Sequence, residues 1–171
     1  MNENVNEEIF PVVDETGKTI STAPRSVCHN GKSMLLHPVV HLHLFNSSGE
    51  LYLQKRALTK DLLPGMWDTS VGGHMDPGET PGEALIREAA EELGITDISF
   101  RSGKNYIWQS AIERELVYTF TGTSSETPVV NKEEIEEGRF WSLKEIAENM
   151  GKNVFTPNFE HEFNMLIMKI S

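Results

Sequence analysis

Two periodicities alternate along the chain, and together they predict a mixed α/β protein. Short apolar or alternating segments bounded by turn residues predict strands at residues 9–13, 18–22, 39–45, 51–56, 69–72, 106–110, 116–121 and 138–141. Helical spacing predicts a helix after Thr80, another from Ser142 to about Gly151, and a closing amphipathic helix through Phe159, Phe163, Leu166, Ile167 and Ile170. Polar segments 23–36, 62–68 and 122–131 are predicted as loops. This alternation indicates a mixed sheet between layers of helices.

The helix after Thr80 has the strongest boundary signals in the chain. Thr80 suits the N-cap, Pro81 suits the first helical position, and Glu83 completes a T-x-x-E capping box. Gly94 is a typical C-terminal stop. An apolar stripe at four-residue spacing runs between these ends: Leu85, Ala89 and Leu93.

Three carboxylates share the polar side of this helix. Glu88, Glu91 and Glu92 stand at i, i+3 and i+4, so their side chains are predicted to converge. Like charges at this spacing destabilise a helix, and a divalent cation would relieve the repulsion. Magnesium prefers oxygen ligands and is commonly shared between carboxylates and substrate phosphates. The patch therefore predicts a magnesium site, with a solvated acidic helix face as the alternative.

The residues around the patch extend the pattern into a known signature. Gly73 is followed after five residues by Glu79, and after seven more by the run REAAEELGI that begins at Arg87. This arrangement resembles the Nudix box, with Ala89 smaller than the aliphatic residue usual at its position. The resemblance implies a Nudix-type α/β/α sandwich with a central mixed β-sheet. It also implies that Arg87 and Glu79 brace the loop against the helix.

The same resemblance implies a metal-dependent hydrolase that cleaves a diphosphate linkage in a nucleoside-diphosphate-type or other small phosphorylated compound. Mg²⁺, with Mn²⁺ as the alternative, is expected on Glu88, Glu91, Glu92 and the Gly73 carbonyl. The ion would orient a water for attack on phosphorus. The catalytic base is expected to be Glu88, Glu92 or Glu134.

Two candidates lie outside the box. Glu134 belongs to the acidic loop NKEEIEEGRF, which in several Nudix hydrolases supplies a metal ligand or base. Its rivals are neighbouring glutamates, and the alternative is a solvated loop. Arg56 ends a predicted strand near the expected cleft, where its planar fork would contact a substrate phosphate. A surface ion pair is the alternative for Arg56.

Residues 35–74 are also similar to type 1 isopentenyl-diphosphate isomerase, a Nudix-fold enzyme that moves a double bond. The isomerase needs a cysteine at the position of Gly72, and glycine carries no thiol for proton transfer. It also keeps only a degenerate box, whereas the box here is complete. Hydrolysis is therefore the main prediction. An isomerase-like enzyme and a non-catalytic Nudix-fold ligand-binding module remain the alternatives.

The isomerase resemblance implies a possible second metal site. Four residues match its metal and acid positions: His37, His74, Glu113 and Glu115. A third histidine position is occupied by Asn30, with His29 beside it. Mixed histidine and carboxylate ligands would favour a transition metal. Hydrogen-bonded structural histidines and cleft-lining or solvated glutamates are the alternative.

His41 and His43 form a separate pair. They alternate with leucines in a predicted strand, so they share one face of the sheet. Metal ligation is one interpretation, and the lining of a half-polar sheet face is the one we favour.

Composition narrows the possible partners and location. The chain has 171 residues and a net charge of −11, which argues against a nucleic-acid-binding face. It has no apolar run of membrane-spanning length and no secretory leader. Cys28 is the single cysteine, which fits a cytoplasmic protein. We expect one domain over residues 1–171, with residues 1–8 flexible, and by family resemblance a possible homodimer.

Overall fold

The computed structural model describes residues 7–60 and 62–167. The strands are β1 (Ile9–Val13), β2 (Thr19–Pro24), β3 (Leu36–Leu44), β4 (Leu51–Arg56), β5 (Trp67–Asp68), β6 (Val71–His74), β7 (Ile98–Ser102), β8 (Tyr106–Gln109), β9 (Arg114–Ser124) and β10 (Ile135–Trp141). The helices are α1 (Arg25–Cys28), α2 (Pro81–Leu93), α3 (Leu143–Asn149) and α4 (Pro157–Glu162), and a π-helical turn follows α4 at Phe163–Ile167.

The central sheet is mixed. Its strand order is β6-β3-β9-β7, and β8 also pairs with β9. Strands β3 and β9 are parallel from the Leu36–Arg114 pair to the Leu44–Gly122 pair, and the other pairings are antiparallel. A three-stranded sheet, β10-β4-β5, and the β1-β2 hairpin flank it. The predicted α/β architecture with a central mixed sheet is confirmed.

Helix α2 begins and ends as its sequence predicts. The Thr80 hydroxyl accepts a hydrogen bond from the Glu83 amide, and the Glu83 carboxylate accepts one from the Thr80 amide at 2.8 Å. Gly94 caps the other end at φ 64°, a left-handed conformation that favours glycine. The predicted apolar stripe is fully buried in one core cluster with residues of β3 and β6: Leu85, Ala89 and Leu93 against Val40, Leu42 and Val71.

Helix α4 belongs to a second core cluster. Its members come from β4, β5, β10, α3 and the C-terminal segment: Leu51, Leu53, Trp67, Trp141, Ile146, Phe155, Phe159 and Phe163. Successive residues of β3 point to opposite faces of the sheet. Leu42 faces α2, while His41 and His43 contact Glu162 of α4. Helices α2 and α4 therefore cover opposite faces of the central sheet.

The structure corrects several predicted boundaries. The segment predicted as a loop over 23–36 contains the end of β2, the short helix α1 and the first residue of β3. Strand β7 was not predicted: only Ile98 and Phe100 of its five residues are apolar, and four of the five are exposed. Strand β10 begins at Ile135 rather than Gly138, since the exposed Glu136 and Glu137 hide its start.

The structure adds detail at both ends of the described chain. The closing helix is confirmed through Phe159 and Phe163, but regular α-helix ends at Glu162, and Ile170 lies outside the described residues. Near the N-terminus, the Glu7 carboxylate accepts a hydrogen bond from the Ser26 amide at 2.7 Å, and Glu8 pairs with Arg25 at 2.8 Å. Within the described ranges, no helix is long and apolar enough to cross a membrane.

The capping box of α2 provides a test of the fold. Thr80→Ala removes the hydroxyl that accepts a hydrogen bond from the Glu83 amide. We expect the free energy of unfolding to fall by about 1 kcal/mol. Chemical denaturation measures the change. Thr127→Ala, at an exposed threonine outside the helices, is the matched control. An equal loss in both variants would contradict the assigned cap.

Candidate active site and metal centre

Glu92 is a buried carboxylate at the outer edge of β6. Its residue is 8% exposed, and its Oε2 accepts hydrogen bonds from Gln54 Nε2 at 2.9 Å and from the Gly72 amide at 3.2 Å. Burial is the main cause that raises the pKa of Glu92 to about 8, and repulsion from Glu88 is the second. The two hydrogen bonds oppose this rise. The helix thus holds an acidic oxygen directly against the strand that precedes the box.

Glu88 lies one helical turn earlier and faces Gly73. Burial raises the pKa of Glu88 to about 7, opposed by Arg87, whose Nη1 lies 2.8 Å from Glu88 Oε1. A Cβ atom on Gly73 would overlap the Glu88 carboxyl group. A side chain at position 73 would therefore displace the Glu88 carboxyl group from its place beside the strand.

Arg87 connects the box loop, helix α2 and strand β6. Its Nε and Nη2 donate to the two carboxylate oxygens of Glu79 at 2.7 and 2.9 Å, a bidentate geometry that guanidinium favours. Nη2 also donates to the His74 carbonyl at 2.9 Å. The structure thus places Arg87 and Glu79 in the bracing contact that the family resemblance implies.

Glu91 stands apart from the other two box carboxylates. Its side chain is 59% exposed and lies 3.4 Å from Arg87 Nη1. The structure therefore brings Glu88 and Glu92 to the Gly72-Gly73 backbone, while Glu91 faces solvent at the rim.

Glu134 and Arg56 lie beside each other at the end of β4. The Glu134 carbonyl accepts from the Ala57 amide at 3.2 Å, and its carboxylate, 52% exposed, lies 3.5 Å from Lys60 Nζ. Glu134 also helps to raise the pKa values of Glu88 and Glu92, although burial and other neighbouring groups have larger effects. Arg56 Nε donates to the Leu62 carbonyl at 3.1 Å, and Nη1 lies 3.5 Å from Asp68. Both predicted residues thus lie at the C-terminal end of β4, where Arg56 pairs with Ile135 of β10.

A compact histidine cluster occupies the other end of β6. One ligand atom from each of four residues falls within 4.8 Å of all the others: His29, His37, His74 and Glu113. His29 Nε2 lies 3.3 Å from His37 Nε2, 3.2 Å from His74 Nε2 and 3.1 Å from a Glu113 oxygen. Of the four predicted second-site residues, Glu115 lies outside this group, with Oε1 4.0 Å from His74 Nε2.

The third histidine of the cluster is His29 rather than the residue at position 30. Helix α1 ends with His29 as its C-cap, which directs the ring toward β3 and β6. The Asn30 carboxamide oxygen instead accepts from the amides of Lys32 and Ser33 at 2.8 Å and stabilises a turn. The unpredicted helix α1 explains why the sequence comparison placed the position one residue too far along.

The cluster histidines are neutral at pH 7. Burial lowers the pKa of His29 to about 4 and, with repulsion from His37, places that of His74 well below its ordinary value. Burial also lowers the pKa of His37, whose Nδ1 lies 2.9 Å from the Leu35 carbonyl. When Nδ1 carries the proton for that bond, His37 Nε2 presents a lone pair. Neutral imidazoles oriented in this way are the form that binds metals.

His41 and His43 face a buried acid that the sequence analysis did not single out. His41 Nδ1 lies 2.7 Å from Glu162 Oε1, and His43 Nε2 lies 3.0 Å from Glu162 Oε2, although the latter contact lacks hydrogen-bond alignment. Burial lowers the pKa of His41, but attraction to Glu162 outweighs it and raises that pKa to about 9. The only signal in the sequence is an acidic residue on the apolar side of the closing helix.

Comparison with known proteins agrees with this geometry. The family model of the NUDIX domain matches residues 35–159. The chain belongs to the Nudix family. The predicted resemblance is therefore confirmed, and membership of this family supports a pyrophosphohydrolase.

Some relatives are named isopentenyl-diphosphate isomerases, and others are named Nudix hydrolases. An isopentenyl-diphosphate Delta-isomerase of Streptomyces griseus is 33% identical over 157 residues, which cover 88% of this Nudix chain and 79% of the relative. An uncharacterized Nudix hydrolase of Pseudomonas aeruginosa is 33% identical over 133 residues, 78% of each chain. The solved structure of DR0079 from Deinococcus radiodurans superposes with a TM-score of 0.79 at 25% identity, covering 94% of this chain and 99% of that one.

Opposite pKa shifts in two histidines of this Nudix domain provide a test. In the metal-free protein, we expect the His29 ring to protonate only near pH 4 and the His41 ring to stay protonated up to about pH 9. Burial favours the neutral form of the His29 ring. At His41, the neighbouring Glu162 carboxylate outweighs burial and favours the charged form. Ring-nitrogen NMR across a pH titration measures both values. Titration of both rings near 6.5 would contradict the assigned environments.

Proposed function

We propose that this Nudix protein is a metal-dependent hydrolase that cleaves a diphosphate linkage in a nucleoside-diphosphate-type or other small phosphorylated compound. The observation that carries the proposal is the placement of two carboxylates, the half-buried Glu88 and the buried Glu92, against the Gly72-Gly73 backbone. Eroded boxes would lose this geometry, so it argues against a non-catalytic binding module. The predicted homodimer and cytoplasmic location stay predictions.

The oxygen-rich donor set fits a hard divalent cation. Glu88, Glu92 and the Gly73 carbonyl would hold Mg²⁺ or Mn²⁺, with the exposed Glu91 free to turn inward. Burial raises the pKa values of Glu88 and Glu92, and repulsion from neighbouring carboxylates adds to the rise; a bound cation would offset both effects. When bound, the ion supplies Lewis-acid polarisation of the phosphate and a more acidic water.

The side chains around this position divide the remaining work. Hydrogen bonds from Gln54 and from the Gly72 amide fix the Glu92 carboxylate. Glu92 would therefore bind the ion without changing its own position. One of three carboxylates accepts the proton of the attacking water: Glu88, Glu92 or Glu134. Arg56, at the cleft border, offsets negative charge on the phosphate oxygens.

The histidine cluster supports a second metal site, distinct from the box. His29, His37, His74 and Glu113 offer three neutral nitrogens and one oxygen within 4.8 Å of one another, with Glu115 close by. This mixture favours a transition metal over magnesium. The donor set fits because the three Nε2 atoms would otherwise face one another with few useful hydrogen bonds.

An isomerase is the second candidate function, because the cluster matches the isomerase pattern and several relatives carry that name. Against it stands Gly72, which offers no thiol for the proton transfer. Double-bond migration in isopentenyl diphosphate, followed by NMR, discriminates the two. We expect none, and turnover would favour the isomerase.

The hydrolase proposal is tested by substitution of its best-held carboxylate. We expect Glu92→Gln to lower magnesium-dependent phosphate release by about a hundredfold or more, because the charge of a metal ligand is lost. The assay uses a panel of nucleoside diphosphates, diphosphate sugars and prenyl diphosphates, first with Mg²⁺ and then with Mn²⁺. Glu148→Gln on the exposed side of α3 is the control. Full activity in Glu92→Gln would remove Glu92 from the site.

Gly73, the first residue of the box, gives an independent test. Gly73→Ala places a methyl group where the Glu88 carboxyl lies, so we expect turnover and metal affinity to drop together. Gly82→Ala is the matched control, since its methyl group would meet only Phe100 at ordinary contact distances of 3.8 and 3.9 Å. Calorimetric Mg²⁺ titration and melting temperatures separate site damage from unfolding. Normal Mg²⁺ affinity in Gly73→Ala would refute the role of Glu88.

A further inference from the structure

A fully buried carboxylate outside the box organises the opposite face of β3. Glu162 Oε1 contacts His41 Nδ1 at 2.7 Å and the Tyr106 hydroxyl at 2.6 Å, and the same hydroxyl lies 2.5 Å from Asn158 Oδ1. The Glu162 residue is 0% exposed. A buried carboxylate without a partner is costly, so its pairing with His41 fixes both charge and ring orientation.

The second ring nitrogen of His41 is not engaged by Glu162. Its side chain remains 12% exposed, and Nδ1 is occupied by Glu162. The Glu162 carboxylate at Nδ1 favours the charged ring, and in that form Nε2 carries a hydrogen as well. No protein acceptor contacts that nitrogen within the part of the chain described, so the hydrogen is available to an outside group.

Gly72 lies between this donor and the box. Its amide contacts the Glu92 carboxylate at 3.2 Å, and it pairs with His41 across the β3-β6 ladder. A Cβ atom on Gly72 would stand 3.4 Å from His41 Cδ2 and 3.5 Å from Nε2. Any side chain at position 72 would therefore cover the nitrogen, whereas glycine leaves it open. Because β6 is the edge strand of the central sheet, only the backbone of Gly72 separates His41 from Glu92 at this edge.

We infer that His41 is a specificity-determining residue, whose Nε2–H donates to an oxygen or nitrogen acceptor on the part of the substrate beyond its diphosphate. The inference rests on the proposed hydrolase function and names its substrate class: a polar compound such as a nucleoside diphosphate, rather than a prenyl diphosphate. Glu162 is the positioning residue that keeps the ring charged and aimed.

The surroundings of His41 agree with a polar occupant. The titratable groups that face it come from each neighbouring element: Glu162 from α4, His43 from β3, Asp68 from β5, His74 from β6, Tyr106 from β8 and Glu115 from β9. A hydrocarbon tail placed here would strip water from a charged imidazole and offer it no acceptor, which is unfavourable. A base, sugar or phosphate oxygen would supply that acceptor.

Two variants test the inference, and they carry different risks to folding. His41→Leu/Glu162→Gln removes the charged donor together with its buried counter-ion, and Gly72→Ala covers Nε2 while leaving every buried charge in place. Calorimetry in Ca²⁺ measures the dissociation constants of the four common ribonucleoside diphosphates and of dimethylallyl diphosphate. Ca²⁺ takes oxygen ligands as Mg²⁺ does. Melting temperatures identify which variants are folded.

We expect the wild-type protein to bind its preferred nucleoside diphosphate more tightly than dimethylallyl diphosphate, and the ratio to fall about tenfold in the variants, as loss of a charged hydrogen bond predicts. A fall of threefold or more in either folded variant supports the inference. A smaller change in both, or a wild-type preference for the prenyl compound, overturns it. Hydrolysis assayed separately with Mg²⁺ tests the proposed function, because its failure would leave the binding ratio to decide the role of His41.

Discussion

The bidentate pairing of Arg87 with Glu79 is the interaction on which the candidate active site depends. Through the same guanidinium group, the structure ties the box loop to helix α2 and to the His74 carbonyl at the end of β6. A further nitrogen contacts Glu88. Because loop, helix and strand meet at one planar cation, the carboxylates of α2 and the histidine cluster are held in a common frame.

Strand β6 carries that frame into the chemistry. Gly72 and Gly73 have no side chains, so Glu88 and Glu92 approach the strand from α2, and His41 stays open on the other side. His74, two residues later, belongs to the histidine cluster. Three successive residues of a Nudix protein, Gly72 to His74, thus border both groups of candidate metal ligands and the proposed specificity residue. An isomerase-like scaffold with glycine at position 72 gains an opening where a thiol would stand.

Local signals in the sequence predict α2 and its surroundings well, because caps, apolar spacing and acidic spacing all act within one helix. The mixed sheet follows from the alternation of elements. The chain does not reveal which side chains meet across long separations. His29 joins the cluster only because α1 turns it, and Glu162 meets His41 across 121 residues. Strand β7 stays hidden because it is short and only two of its five residues, Ile98 and Phe100, are apolar.

The central claim, that Glu88 and Glu92 gather a divalent cation beside Gly73, is tested most directly by anomalous diffraction from crystals soaked in Mn²⁺ and a non-hydrolysable diphosphate. The account predicts a manganese peak within ligand distance of both carboxylates and of the diphosphate. A second peak at the histidine cluster would be independent of it. Manganese found only among His29, His37 and His74, with the box carboxylates turned away from any ion, would contradict the account.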